Sequence, residues 1–379
     1  MDDSKGSFFS SEDYKDHSDK YADLMGPNGR LLFVACDAGT DLAESVKREY
    51  QSVLIEKYGD AKKVVEIPLM KGITNKFEGD GHDGTCPRLN HNAAGADVYV
   101  FQNCMDEKRG SNSLNDNLMQ LLQMIYTLKS QKVRKVTAVI PYYPYSRQDK
   151  PSFMKREVSL GRLVADLLIG VKVNSVLSYH PHSTSISSFF PAGRSFNFVS
   201  GIDLFRSTFS QYEDDAETIA VCTDAGGFKE IKYFSELLNI DHCVGSKDRP
   251  EQKKTKALGV EGNLDGKKRA IIIDDETATF SSCVDIIKHL SAKGIEEFHV
   301  GVSHMRIRPK YIPRLEQVHD KYNMVKLHTT DSVPQIDEIS KLPFVEVHPL
   351  AKTWAFVINR MHYDLSVSKL FEVDEEQHP

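Results

Sequence analysis

The sequence predicts an α/β protein of two domains, each a mainly parallel sheet flanked by helices. Three observations carry that expectation. Strand-like segments alternate with segments of helical periodicity, as in "RLLFVACDAGTDLAESVKREY" and again in "TIAVCTDAGGFKEIKYFSELLN". The strand-like segments are apolar without alternation, the mark of parallel strands covered on both faces. The 379 residues also exceed what one hydrophobic core usually serves.

The elements follow in order. The first thirty residues are acidic and polar with no apolar core, so they read as a mobile arm over 1–29 and not as a secretory signal. A strand, turn and helix come next, with Asp37 or Thr40 as the helix cap. "KKVVEIPL" and "ADVYVFQNC" are further strands, and the polar stretch Met70 to Gly95 between them is a loop. "NDNLMQLLQMIYTLKSQKV" is an amphipathic helix, and "RKVTAVIPYYPYSR" is a strand that breaks at Pro141. "LGRLVADLLIGVKV" is a helix, and "NSVLSYHPHS" is a strand entering a loop. A second block repeats the pattern, with strands at "TIAVCTDAGG", "DHCVG", "RAIIIDD" and "EEFHVGVSH". The first domain is placed at 30–195 and the second at 196–358, with 359–379 a C-terminal segment packing back on the first.

Composition narrows the function. Apolar residues make up 40% and charged residues 27%, as in ordinary soluble proteins. The net charge of −6 offers no basic footprint for nucleic acid. No apolar run approaches the roughly 20 residues of a membrane span. Six cysteines without a CxxC pair read as reduced thiols of a cytoplasmic protein.

In open parallel sheets, ligands gather at the carboxyl ends of the strands. Four segments put polar residues there: "RQDK", "HPHS", "TDAGG" and "DDETATFSS". Together they predict a shared active-site rim. In the last of them, Asp274 and Asp275 can each accept a hydrogen bond from one hydroxyl of a vicinal diol. Thr277, Thr279, Ser281 and Ser282, with the backbone amides entering a helix, suit a phosphate. The same residues also read as helix-capping acids followed by a Ser/Thr turn. Asp224 before Gly226 and Gly227 suits a metal or a sugar hydroxyl, or equally a turn. Of His180 and His182, one is expected to face the site, although surface histidines are usually inert. "SKDRPEQKKTK" is a basic loop, either solvated or a flap that closes over a polyphosphate. No GxxxxGK[ST] occurs, which excludes P-loop phosphate binding.

From about Leu31 to Phe371 these segments resemble the ribose-phosphate pyrophosphokinases, the phosphoribosyl pyrophosphate synthetases. "NDNLMQLLQMI", "VTAVIPYYPYSRQDK", "LVADLL", "TDAGG", "IDD" and "SVSKLF" match in the family's order. The resemblance implies two phosphoribosyltransferase-like domains, the first holding ATP and the second ribose 5-phosphate. The reaction would pass the β,γ-diphosphate of ATP to the 1-hydroxyl of ribose 5-phosphate, for nucleotide biosynthesis, with Mg²⁺ as cofactor. By resemblance, Arg147, Gln148 and Asp149 hold the nucleotide, and His182 and Asp224 are linked to the metal. Lys247 and Arg249 keep the Lys-x-Arg spacing of the catalytic loop. Asp274 and Asp275 hold the ribose hydroxyls, while Thr279, Ser281 and Ser282 hold its phosphate. A homo-oligomer built from dimers, up to a hexamer, is implied as well.

The chain departs from the family in four respects. Ala278 stands where a further Asp is expected, Ser281-Ser282 replace a Gly-Thr end, and His180-Pro181 replace an acidic residue before the metal histidine. No adenine-gripping "FSNQE"-like segment is recognisable between Leu69 and Gly81. A non-catalytic regulatory relative and a diphosphokinase with a larger ribosyl acceptor therefore stay open as alternatives. A base-salvaging phosphoribosyltransferase would leave the Lys-x-Arg loop and "SRQDK" without a role.

Overall fold

Leu31 to Ala35 and Val98 to Phe101 are fully buried and lie side by side as parallel neighbours. The computed structural model describes residues 15, 22–58, 66–71, 74–76, 85–106, 112–151, 154–247 and 258–368. The chain divides into two units, residues 1–198 with 350–379, and residues 199–349.

The first unit runs β1 (Met25–Gly26), β2 (Gly29–Ala35), α1 (Thr40–Tyr58), β3 (Leu69–Met70), β4 (Thr74–Lys76), β5 (Thr85–Pro87), β6 (Asp97–Phe101), α2 (Leu114–Ser130), β7 (Lys135–Ile140), α3 (Leu160–Gly170), β8 (Ser175–Tyr179) and β9 (Ser195–Val199). Its sheet has the order β1-β2-β6-β7-β8-β9, with β3 also on β2. The pairs from β2 through β8 are parallel. Helix α2 starts where Ser113 and Asp116 form a capping box, each side chain bonding the other's backbone amide. Two segments differ from the sequence expectation. Within "KKVVEIPL", Glu66 to Pro68 are not strand, and pairing begins only at Leu69. The stretch Met70 to Gly95 holds the antiparallel ribbon β4–β5, whose polar residues give no periodic signal.

The second unit runs α4 (Gly201–Thr208), β10 (Thr218–Cys222), α5 (Phe228–Leu238), β11 (Asp241–Lys247), β12 (Leu258–Glu261), β13 (Arg269–Thr277), α6 (Ser281–Ser291), β14 (Glu297–Met305), α7 (Ile312–Tyr322), β15 (Met324–Thr330), α8 (Asp337–Ser340) and β16 (Val345–His348). Its sheet order is β12-β11-β10-β13-β14-β15-β16, parallel except for the β11–β12 pair. Each central strand feeds two cores. Ile219, Val221, Ala270 and Ile272 join the cluster with Ile286 and Leu315, while Ala220, Ile271 and Ile273 pack with Phe205 and Phe234. Strands buried on both faces read as continuous apolar runs, which is why these were legible.

The chain then returns to the first unit through α9 (Ala351–His362). Trp354, Val357 and Ile358 are fully buried on one side of this helix. Asn359 donates to the Tyr50 hydroxyl at 2.8 Å, and His362 meets Asp97 at 2.8 Å. The return therefore begins near Leu350, where an apolar stripe at helical spacing starts, and not at residue 359. At the other terminus, residues 22–29 belong to this packing rather than to an arm. Leu24 is buried, β1 pairs with β2, and Tyr363 donates to the Asp23 carbonyl. Among the described residues, no helix is long and apolar enough to cross a membrane.

Candidate active site

Strand β13 does not stop at its acids. It continues to Thr277, pairing Asp274 with Val302 and Glu276 with His304 on β14. On its other side, β10 ends at Cys222 opposite Ile273. Asp274 and Asp275 thus stand where β13 overshoots its neighbour, at the carboxyl edge of the sheet. The sequence reading ended the strand at Asp275, because charged side chains interrupt an apolar pattern. Here the β14 ladder outweighs that interruption.

Both acids are half-buried. The Asp274 carboxylate accepts from the Thr223 hydroxyl at 3.1 Å and from the Asp275 amide at 3.1 Å. Burial, then the Asp275 charge and its hydrogen bond, push the Asp274 carboxyl well above the ordinary carboxylate range, against the lowering by Thr223. Two like charges held together in this way favour one shared proton. A cation or a pair of sugar hydroxyls at this edge would relieve that repulsion. The acids are not helix caps, since helix α6 begins only at Ser281, with Phe280 as its N-cap residue.

The loop from Ala278 to Phe280 is tight. The Phe280 amide donates to the Thr277 hydroxyl at 3.0 Å, and Thr279 and Ser281 share a hydroxyl hydrogen bond of 2.9 Å. Ser281 and Ser282 open α6, where backbone amides lack helical partners and favour an anion. Phe280 sits at φ 59°, in the left-handed region that a bulky residue rarely enters. Such strain costs on the order of 1–3 kcal/mol. The ring is fully buried, so core packing holds the turn where glycine would otherwise serve. Arg314, on α7, donates to the Thr279 carbonyl at 2.6 Å and lies over the Tyr311 ring at 5.2 Å. Its guanidinium thus sits against the hydroxyl loop. The reading of the sequence missed Arg314, and its one signal was the basic run "RIRPKYIPR".

Asp224 is exposed, and its Oδ1 accepts from the Gly226 amide at 2.9 Å. The two glycines are first of all a local requirement. A Cβ on Gly227 would meet Cys222 Cβ at 3.0 Å, and one on Gly226 would meet Asp224 Oδ1 at 3.0 Å. The turn reading and the ligand reading of this segment therefore coexist. All six cysteines are free thiols, and burial with the neighbouring Asp224 pushes Cys222 up to about 12, which makes it a poor nucleophile.

In the first unit, Arg147 and Gln148 are exposed and Asp149 half-buried, on the loop leaving β7. That loop is clamped to the start of α3. The Gln148 carbonyl accepts from the Gly161 amide at 3.1 Å and from the Ser159 hydroxyl at 3.1 Å, and Tyr143 donates to the Gly161 carbonyl. A rigid loop of this kind fixes where its side chains emerge. His180 turns inward at φ 33° and is 3% exposed, while His182 is exposed just beyond it. Of this pair, His182 is the one that faces outward. Lys247 closes β11 opposite Leu258, so the segment read as a loop from Ser246 begins as strand, while Arg249 lies outside the described residues.

Comparison with known proteins supplies the family. Residues 31–171 match the N-terminal domain of ribose phosphate pyrophosphokinase. A ribose-phosphate pyrophosphokinase of Caldanaerobacter subterraneus is 30% identical over 284 residues, which is 75% of this chain and 85% of that one. Ribose-phosphate pyrophosphokinase A of Dictyostelium discoideum is 27% identical over 309 residues, 81% of this chain and 92% of that one. In fold, the chain is similar to the crystal structure of phosphoribosylpyrophosphate synthetase from Mycobacterium smegmatis, with a TM-score of 0.71, 23% identity, and coverage of 88% of this chain and 99% of that one. With the match to the bacterial enzyme covering three quarters of it, the chain belongs to the ribose-phosphate pyrophosphokinase family.

Proposed function

We propose that this chain transfers the β,γ-diphosphate of ATP to the 1-hydroxyl of ribose 5-phosphate, giving phosphoribosyl pyrophosphate and AMP. The observation that carries this reading within the fold is the end of β13. An acid pair, a hydroxyl-rich turn and a helix N-terminus follow one another there, in the order that a ribose diol and its 5-phosphate would require. In the proposed step, the 1-hydroxyl oxygen bonds to the β-phosphorus as the bond from that phosphorus to the α–β bridging oxygen breaks. AMP keeps the bridging oxygen. Such transfer depends on positioning and charge neutralisation more than on covalent help.

Roles are assigned as follows. Asp274 and Asp275 accept from the ribose hydroxyls. Thr279, Ser281 and Ser282, with the first amides of α6, bind the 5-phosphate, and Arg314 lends positive charge to that loop. Arg147, Gln148 and Asp149 hold the nucleotide. Lys247 and Arg249 cover the β-phosphoryl group as charge develops on the leaving AMP. Mg²⁺ fits Asp224, whose exposed carboxylate is the hard oxygen donor it prefers, while the metal-linked role of His182, exposed on the first unit, rests on the family resemblance. Bound there, it would neutralise phosphate charge. The reaction is placed in the cytoplasm, in a homo-oligomer built from dimers.

Incubation of the pure chain with ATP, ribose 5-phosphate and Mg²⁺ is expected to release AMP without ADP. Release of ADP would instead identify an ordinary kinase; no turnover would leave the regulatory relative and the larger acceptor, which AMP release with a larger 5-phosphoribosyl compound separates. Ala278 marks the acceptor side, since it is half-buried at the start of the hydroxyl loop. Ala278→Asp is expected to lower the KM for ribose 5-phosphate by about tenfold or more, through one added charge-assisted contact. Steady-state kinetics decide it, and an unchanged KM would remove residue 278 from the acceptor site.

A further inference from the structure

Away from the acid pair, two strands across the sheet from β13, three ligand-bearing side chains converge on one spot. His328 on β15 and Glu346 on the edge strand β16 are register partners, and His348 lies two residues beyond Glu346 on the same strand. Parallel register and the two-residue repeat put all three on one face of the sheet. His328 Nδ1 lies 3.0 Å from His348 Nε2. The Glu346 carboxylate oxygens lie 3.8 Å from His328 Nδ1 and 3.9 Å from His348 Nε2. The three ligand atoms fall within 4.8 Å of one another.

We propose that His328, His348 and Glu346 bind a divalent transition metal of the zinc class, which fastens β16 to β15. The geometry carries it. Ligand atoms about 2.0–2.1 Å from a tetrahedral zinc stand roughly 3.3 Å apart. The observed separations bracket that value, so side-chain rotation alone closes the set. Two imidazoles and one carboxylate also select zinc, copper or nickel over magnesium, which keeps to oxygen. The metal would replace the single proton that the two facing ring nitrogens share at 3.0 Å.

The surroundings favour an ordered site. His328 is 8% exposed, and the Phe209 ring stands perpendicular to it at a centroid distance of 5.1 Å. The His348 carbonyl accepts from the Asp331 amide at 3.2 Å, which fixes the backbone at the end of β16. Glu346 is exposed, and it leaves the metal an entry path and a position for water. The chain leaves this unit directly after Pro349. A metal here would therefore fasten the last strand before the crossing.

The test is a Co²⁺ titration of the full, metal-stripped chain in a large excess of Mg²⁺, which occupies oxygen-rich sites. The expected result is one equivalent of Co²⁺ with the visible absorption of a low-coordinate ion, displaced stoichiometrically by Zn²⁺. His348→Gln and Glu346→Gln are each expected to weaken uptake by at least about tenfold. Circular dichroism of the metal-free variants checks that they fold. Glu346 is exposed, so Glu346→Gln keeps the test decisive if the histidine variant does not fold. Zn²⁺ is expected to raise the unfolding temperature of the unaltered chain and leave that of His348→Gln unmoved. A chain that takes up no Co²⁺ under these conditions, or variants that match its affinity and spectrum, would overturn the site.

Discussion

Asp274→Asn is expected to make the chain more stable at neutral pH and roughly ten- to a hundredfold less active. The stability half follows from linkage. Burial and Asp275 hold the Asp274 carboxyl well above its ordinary range in the folded chain. The folded state therefore binds that proton more tightly than the unfolded state does, and stability falls as pH rises from the ordinary carboxylate range through the raised one. Above that window the folded chain keeps a charge that burial and Asp275 both oppose. Asparagine removes the charge, and its carbonyl can still accept from Thr223, which now sits 3.1 Å from the carboxylate. Thermal unfolding between pH 4 and 8 is expected to show a higher and flatter profile for the variant, with a gain of about 2–4 °C for each kcal/mol. The activity half follows because an amide cannot supply the charge that a sugar hydroxyl, or a cation beside it, would use. The loss should appear in kcat/KM for ribose 5-phosphate more than for ATP. A variant less stable than the unaltered chain at neutral pH would contradict the strain argument, and unchanged kinetics would remove Asp274 from the site.

That trade-off explains why the acid pair could be found in the sequence. Two adjacent carboxylates after "AIII" cost the fold stability, and that cost is what made them candidates for the site. The fold class was legible for a different reason. Runs such as "RLLFVA" and "RAIIID" feed two cores at once, and apolar continuity survives in the sequence. What stayed hidden depends on contacts between distant residues. Thr223 holds Asp274 across 51 positions, and Arg314 reaches Thr279 across 35. Neither pairing leaves a local signature. The turn at Phe280 hid for the opposite reason, since a buried aromatic in the left-handed region contradicts the residue preference a reader applies. The ribbon β4–β5 was lost because short polar strands carry no hydrophobic period.

The largest loss of stability is expected from breaking the pair between His362 and Asp97. Both side chains are fully buried, and His362 Nδ1 lies 2.8 Å from Asp97 Oδ2. The other ring nitrogen, Nε2, lies 3.1 Å from the Leu24 carbonyl. One imidazole thus joins helix α9, strand β6 and the segment ahead of β1, three pieces far apart in sequence. His362→Ala or Asp97→Ala leaves a buried polar group uncompensated, at about 3–5 kcal/mol. The neighbourhood is also close-packed, since a Cβ on Gly26 would come within 2.7 Å of His362 Nε2. Urea unfolding of the full chain is expected to show a midpoint lowered by about 1–5 M for either single variant, at a slope of about 1–3 kcal/mol per molar. The pair Asp97→Val with His362→Leu separates the two possible causes. If uncompensated polarity dominates, the double variant loses less than either alanine variant, because both polar groups leave together. If lost volume dominates, the double variant and Asp97→Val alone fall equally. Single variants that cost less than about 1 kcal/mol would show that α9 is held by its apolar face, with Trp354, Val357 and Ile358 sufficient without the hydrogen bond between His362 and Asp97.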